Sequence, residues 1–295
     1  MMVQVPPIKC QGIKTKLVPL IREMAEWDRN GVWIEPFTGS GVVGFNIAPK
    51  NAIFADTNPH TINFFRAIQN KDITPSVARR FLQEEGALLA KEGESHYYAI
   101  RERFNKTGSP LDFLFLNRAC FNGVMRFNRK GGFNVPFCRK PERFAQAYIT
   151  KIVNQIEALA KLILRSNWEF RVQPFSETIQ AATSRDFIYA DPPYVARHVD
   201  YFDSWDETKE RNLCELLVNA PARFILSTWL ENTYRRNPFV DELWGTFPRV
   251  TEEHFYHVGA SEANRNAMTE ALIMNFQPPA RVVRERVPEQ ALLLI

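Results

Sequence analysis

Cysteine and histidine are scarce in this chain, with four cysteines and five histidines among 295 residues. Cys10, Cys120, Cys138 and Cys214 show no C-x-x-C spacing and have no partner histidines at metal-ligand spacing. That pattern argues against a structural zinc site and for free thiols in a reducing cytoplasm, and no metal is expected. His254 and His257 form an H-x-x-H without a third ligand nearby and read as ordinary loop residues. Apolar runs are also short. None approaches the roughly 20 residues of a membrane helix, the terminal Ala291–Ile295 is too short to span anything, and residues 1–9 lack the apolar core of a signal peptide. No internal repeat and no low-complexity segment is present. The net charge is only +4, so bulk charge is a weak argument for a nucleic-acid partner. One local absence says more. From Arg118 to Pro141 there is no Asp or Glu, while Arg118, Arg126, Arg129, Lys130, Arg139 and Lys140 all fall there.

What is present is a strand-helix alternation typical of an open α/β sheet. Helical apolar spacing runs from Lys16 to Trp27, and 32–35 reads as a buried strand followed by a glycine turn and a helix. Residues 52–56 form another apolar strand ending in an acid, and Asn58-Pro59 begins the next helix. Helices are expected at 73–85, 95–105 and 110–120, with Thr74-Pro75 and Ser95 as N-terminal signals. A hairpin or extended loop is expected across 121–137, around Gly131-Gly132, and one long helix over 141–164. Strands at 168–172, 187–190, 223–227, 246–250 and 270–276, with a helix at 206–218, complete the pattern. The expected fold is a doubly wound α/β sheet formed by residues 1–71 and 141–276. A mostly helical subdomain carrying a β-hairpin is inserted at 72–140, and a tail occupies 277–295.

Three stretches carry chemistry. Glu35-Pro36-Phe37-Thr38-Gly39-Ser40-Gly41 is a strand end and a glycine turn that lets a ligand approach the main chain. It lacks the third glycine of dinucleotide fingerprints. Asp56, at the next strand end, is placed as an acid that partners ribose hydroxyls, with a turn or cap role as the alternative. Asp191-Pro192-Pro193-Tyr194 ends an apolar strand abruptly, because proline cannot continue a ladder. The basic stretch interleaves cations with Phe121, Asn122, Phe127 and Asn128, residue types that read base edges or hold phosphates.

Asp-Pro-Pro-Tyr resembles the signature of amino-methyltransferases, and the F-x-G-x-G turn resembles their S-adenosylmethionine loop. The order of glycine turn, basic insertion and Asp-Pro-Pro-Tyr resembles the Dam-like α-group (D12 class) of DNA adenine-N6 methyltransferases. So do Tyr97-Tyr98-x-x-Arg101-x-Arg103-Phe104-Asn105, Leu116-Asn117-Arg118 and Gly132–Phe137. Ile8 to Lys16 and Arg197 to Tyr201 resemble the EcoRV-type modification methylase branch of that family. Ile13 and Phe121 depart from the common pattern, where glycine and tyrosine are usual. The resemblance implies a Rossmann-like methyltransferase sheet and S-adenosylmethionine as cofactor. It implies catalysis by Asp191, Pro192, Pro193 and Tyr194, and cofactor contacts from Gln11, Lys14, Glu35, Pro36, Phe37, Gly39, Gly41, Asp56, Phe175 and Asp191. DNA contacts are implied for Lys9, Arg118, Phe121, Asn122, Arg126, Asn128, Lys130, Arg139 and Lys140, with Arg126 as base reader. Double-stranded DNA is then the partner, in the cytoplasm. A cognate restriction endonuclease sharing the site, and a monomer or a homodimer, stay open. A DNA-binding regulator without turnover fits poorly with an intact Asp191, Lys14 and glycine turn. RNA or protein-glutamine methyltransferases commonly carry Asn at the first signature position and lack the basic insertion.

Overall fold

A computed structural model describes residues 3–128, 130–195, 205–255, 267–280 and 282. Strands buried on both faces must be apolar throughout, and they turn polar only where they leave the sheet. β1 (Trp33–Glu35), β2 (Asn51–Asp56), β3 (Asn167–Val172), β4 (Phe187–Ala190) and β5 (Arg223–Asn232) pair in parallel. β7 (Ala267–Met274) pairs antiparallel with both β5 and β6 (Arg249–Phe255). The order across the sheet is β3-β2-β1-β4-β5-β7-β6. The chain moves outward from β1 through β2 to β3 and then returns to β4 on the other side. The crevice between β1 and β4 at the carboxyl edge is therefore the topological switch point, where such sheets bind ligands.

Alternate residues of each strand feed different faces. Trp33, Phe54, Phe187, Tyr189 and Ile225 join one apolar cluster, with α1 (Val18–Met24), α2 (Val42–Ile47), α3 (Pro59–Gln69) and α7 (Gln146–Leu164). Ile34, Ile188, Ala190, Phe224 and Leu226 join the other, with α8 (Phe175–Gln180), α9 (Glu207–Asn219) and α10 (Pro238–Trp244). Phe45, Phe54, Trp168 and Phe170 interlock with centroid distances of 5.1–5.4 Å between the rings that touch Phe54. α4 (Pro75–Glu92), α5 (Glu94–Thr107) and α6 (Pro110–Ala119) share the first cluster, so apolar packing runs without a break from the sheet into 72–140. Arg103 ties these helices together by donating to Asp112 Oδ2 at 2.9 Å and Glu85 Oε1 at 2.8 Å.

Several boundaries differ from the sequence reading. α4 runs to Glu92, and Gly93 at φ 62° separates it from α5. Ser95 is therefore inside the first turn, its hydroxyl donating to the Glu92 carbonyl, whereas Thr74 caps α4 as expected. The helix expected from Pro141 begins as a 3₁₀ turn, Pro141–Phe144, which breaks at Ala145 before α7. The hairpin is held by the bridges Cys120↔Phe137 and Phe127↔Phe133 rather than by long strands. The strand expected at 246–250 starts later, at Arg249, because 245–248 is the turn leaving α10. His254 sits on β6 rather than in a loop, while His257, Arg129, Arg197–Tyr201 and most of the tail lie outside the described residues. No described helix is long and apolar enough to cross a membrane.

Phe54 is fully buried at the centre of the ring cluster. Phe54→Ala should lower the free energy of unfolding by about 3–5 kcal/mol, because the surrounding rings cannot collapse into the void. Urea unfolding should show the midpoint falling with little change in slope.

Candidate active site

The carboxyl ends of β1, β2 and β4 bring the predicted groups to one edge. After β1, Thr38 N–H donates to Ala55 O at 2.9 Å, laying the glycine turn across the end of β2. Gly39 has φ 48° and Gly41 φ 71°, and a Cβ on Gly41 would lie 2.3 Å from the Phe45 ring. Only glycine fits there, against the Phe45 ring. Asp56 accepts from Gly39 N–H through Oδ2 and from Asn58 N–H through Oδ1, both at 2.9 Å. It is therefore the residue that shapes the turn; a carboxylate oxygen keeps a second lone pair for a hydroxyl donor. Burial pushes its carboxyl above the ordinary value.

Glu35, at the end of β1, is buried. Its Oε1 accepts from Trp33 Nε1 at 2.9 Å, and burial pushes it up to about 8. Phe37 and Phe175 stack at 5.3 Å, and Trp205, which the sequence reading did not single out, closes the cluster at 5.4 Å from each. Gln11 lies half-buried in the turn before Lys14. Cys10, also not singled out, has its Sγ 3.5 Å from where a Gly39 Cβ would be, and burial followed by Asp56 and Asp191 pushes its thiol up to about 12.

At the end of β4 a charged cluster forms. Lys14 is 4% exposed. Its Nζ stands 2.9 Å from Asp191 Oδ1, 2.9 Å from the Gly12 carbonyl and 3.7 Å from Glu270 Oε1. It also lies 5.1 Å from the centre of the Tyr194 ring. Tyr194 packs with Trp229 and Met268, and its hydroxyl donates to Glu270 Oε1 at 3.1 Å. Burial raises Asp191 to about 6; the Lys14 ammonium opposes this and Glu270 reinforces it. Pro192 and Pro193, outside any helix or strand, separate Asp191 from Tyr194. Glu270 escaped the sequence reading, although a lone acid in the apolar run of β7 was a signal.

The basic segment divides into groups that face outward and groups that do not. Phe121, Asn122, Lys130, Arg139 and Lys140 are exposed. Arg139 is 3.7 Å from Glu94. Arg126 crosses the hairpin, its Nε donating to Asn134 Oδ1 at 2.9 Å. Asn128 forms the turn itself, its Oδ1 accepting from Lys130 N–H at 2.9 Å and Gly132 N–H at 3.0 Å. Arg118 is turned inward. Its Nη2 donates to the Pro7 carbonyl and to Gln155 Oε1 at 3.1 Å, and burial with the nearby Arg143 lowers it to about 10. Lys9 is half-buried, its backbone N–H donating to Asn117 Oδ1 at 2.7 Å. No group of three metal-ligating side chains occurs among the described residues.

Arg118→Met leaves the Pro7 carbonyl without its donor and should cost about 1–3 kcal/mol of stability. Lys130→Ala, at an exposed position, should stay within about 0.5 kcal/mol of wild type. Thermal and urea unfolding of the two variants side by side check this.

The family model for D12 class N6 adenine-specific DNA methyltransferases matches residues 11–258. Modification methylase StsI from Streptococcus sanguinis is 27% identical over 284 residues, covering 92% of this chain and 43% of that protein. Type II methyltransferase M1.LlaDCHI from Lactococcus lactis subsp. cremoris is 26% identical over 290 residues, covering 92% and 95%. A DNA adenine methylase from Vibrio cholerae is 32% identical over 168 residues, covering 55% and 56%. The chain spans less than half the length of StsI and of Type II methyltransferase M.FokI from Planomicrobium okeanokoites, of which it covers 42%. With glycine turn, Asp-Pro-Pro-Tyr and basic hairpin all inside the matched region, this chain belongs to the D12 class N6 adenine-specific DNA methyltransferase family.

Proposed function

We propose that this protein is a site-specific DNA methyltransferase that uses S-adenosylmethionine to methylate adenine N6 within a short, palindromic duplex site. The observation that carries the reading is Asp191, an acid with raised proton affinity at the end of β4, beside the switch-point crevice and the glycine turn. The target amino group is inaccessible inside a duplex, so the adenine must be flipped out to reach this edge.

The residues present fit the cofactor. Gly39 and Gly41 hold the turn at positive φ across the carboxyl edge, Asp56 has lone pairs for ribose hydroxyls, and Phe37 with Phe175 offers an aromatic surface for an adenine ring. Gln11, Lys14, Glu35 and Pro36 complete the wall around them. When bound, S-adenosylmethionine would supply a sulfonium-borne methyl group, whose bond to sulfur would break as the N6 lone pair bonds to it in line, the neutral thioether leaving and N6 then shedding one proton to solvent, without a covalent enzyme intermediate. The Asp191 carboxylate and the Pro192 carbonyl accept the two N6 hydrogens. That localises the nitrogen lone pair and stabilises positive charge developing on N6. Pro193 keeps the acceptors rigid, and Tyr194 stacks on the extruded ring.

Residues 72–140 serve as the target-recognition insertion in a catalytic domain made of 1–71 and 141–276. The exposed face of the hairpin, with Phe121, Asn122 and Lys130, meets the DNA, and Arg139 and Lys140 extend the cationic surface toward phosphates. Arg126 reads a base by exchanging part of its link to Asn134 for the base edge. The site of action is the cytoplasm, and a cognate endonuclease sharing the sequence would need no contact with this protein.

Radiolabel transfer from S-adenosylmethionine to duplex DNA, RNA and protein tests the reading, with label expected on duplex DNA. Asp191→Ala should lose at least ~10²–10³ in turnover while DNA binding survives. Wild-type turnover in that variant rules out the assignment. Arg126→Ala should cost about 1–3 kcal/mol of discrimination between cognate and single-substituted sites. Lys130→Ala should weaken both alike and flatten the salt dependence. Interchanged behaviour of the two variants would reverse reader and anchor.

A further inference from the structure

Glu270 is fully buried on β7, in a row whose other inward members are Met268, Leu272 and Met274. A carboxylate in such a row is costly unless it is paired and hydrogen-bonded. Here Oε1 accepts from the Tyr194 hydroxyl at 3.1 Å and lies 3.7 Å from the Lys14 ammonium, which is itself 2.9 Å from Asp191. Two acids therefore share one cation. With no exposed surface, Glu270 does not touch a substrate and acts only through its neighbours.

We propose that Glu270 is a positioning residue for methyl transfer: its charge draws on the Lys14 ammonium so that Asp191 stays a strong hydrogen-bond acceptor, and its Oε1 fixes the Tyr194 ring. The inference rests on the adenine-N6 reading above and assigns a role to a residue on the far side of the catalytic loop. If Lys14 served Asp191 alone, its ammonium would saturate the acceptor and weaken its hold on the N6 hydrogens. The like charge of Glu270 works in the opposite direction. The tie to Tyr194 sets the ring plane through a hydroxyl that stacking does not need. The titratable groups around this cluster are Lys14 and Cys10 on the N-terminal segment, Glu35 on β1, Asp56 on β2 and Tyr189 on β4. Asp191 and Tyr194 lie beyond β4, and Glu252 lies opposite Glu270 on β6.

The test is the pH profile of single-turnover methyl transfer to duplex DNA by the full chain. An ionised Asp191 is required as acceptor, so the wild-type rate should fall as pH drops through about 6. Glu270→Gln keeps the shape and an acceptor oxygen but removes the charge. The acidic inflection should then move to lower pH by roughly one unit, as expected when a close like charge is lost, and the plateau rate should fall several-fold. A folded Glu270→Gln enzyme with an unmoved inflection overturns the proposal, whatever its stability. Should Glu270→Gln fail to fold, Tyr194→Phe carries the test, because it removes only the hydroxyl. KM for DNA should rise several-fold while the acidic inflection stays in place, and an unchanged KM overturns the tie. A wild-type protein that methylates no adenine refutes the functional reading. One that methylates adenine without an acidic inflection leaves that reading standing and refutes this one.

Discussion

A lysine buried between two carboxylates is the constraint on which the active edge depends. Lys14 lies on the N-terminal segment, Asp191 just past β4 and Glu270 on β7, and their side chains meet with Lys14 and Glu270 buried and Asp191 reaching the surface. Removing Lys14 would leave two carboxylates side by side without their cation, a more severe fault than the loss of a surface pair. The cluster therefore fixes three distant parts of the chain against one another. It holds the first proline of the signature at the switch point of the sheet, and through Tyr194 it reaches the Trp229 and Met268 side chains that wall the far side.

The same N-terminal segment runs back to the basic hairpin. Arg118 and Asn117, at the end of α6, hold Pro7 and Lys9 by the main chain, the latter through a reciprocal pair of 2.7 and 2.8 Å. Arg143 donates to the carbonyls of Arg118 and Cys120, securing the base of the hairpin from the other side. A few residues thus join the segment that carries Lys14 to the element expected to read DNA. Groups that look on sequence like a continuous cationic reader are in fact split. Some face outward, and others brace the frame on which the outward ones stand.

Much of the sheet was legible because its parallel strands are short apolar runs that end where an acid or a glycine leaves the ladder, as at Glu35, Asp56 and Asp191. The helices at α8 and α10 were not: with six and seven residues they are as short as α2, but no glycine turn marks their start as one marks that of α2. Asn128 and Arg118 show a different limit. Composition names residue types suited to DNA, but the same amide and guanidinium also satisfy backbone groups, and only the fold decides which they do. Glu270 was visible as an acid among apolar strand residues, yet its partner is near the opposite end of the chain, out of reach of any local pattern.

The most direct test of the account is nucleoside analysis of duplex DNA incubated with the purified protein and methyl-labelled S-adenosylmethionine. The account predicts that the label is recovered as N6-methyladenine in duplex DNA, confined to one short sequence context. Label on cytosine, on RNA or on protein, or no transfer at all by the folded chain, would contradict it.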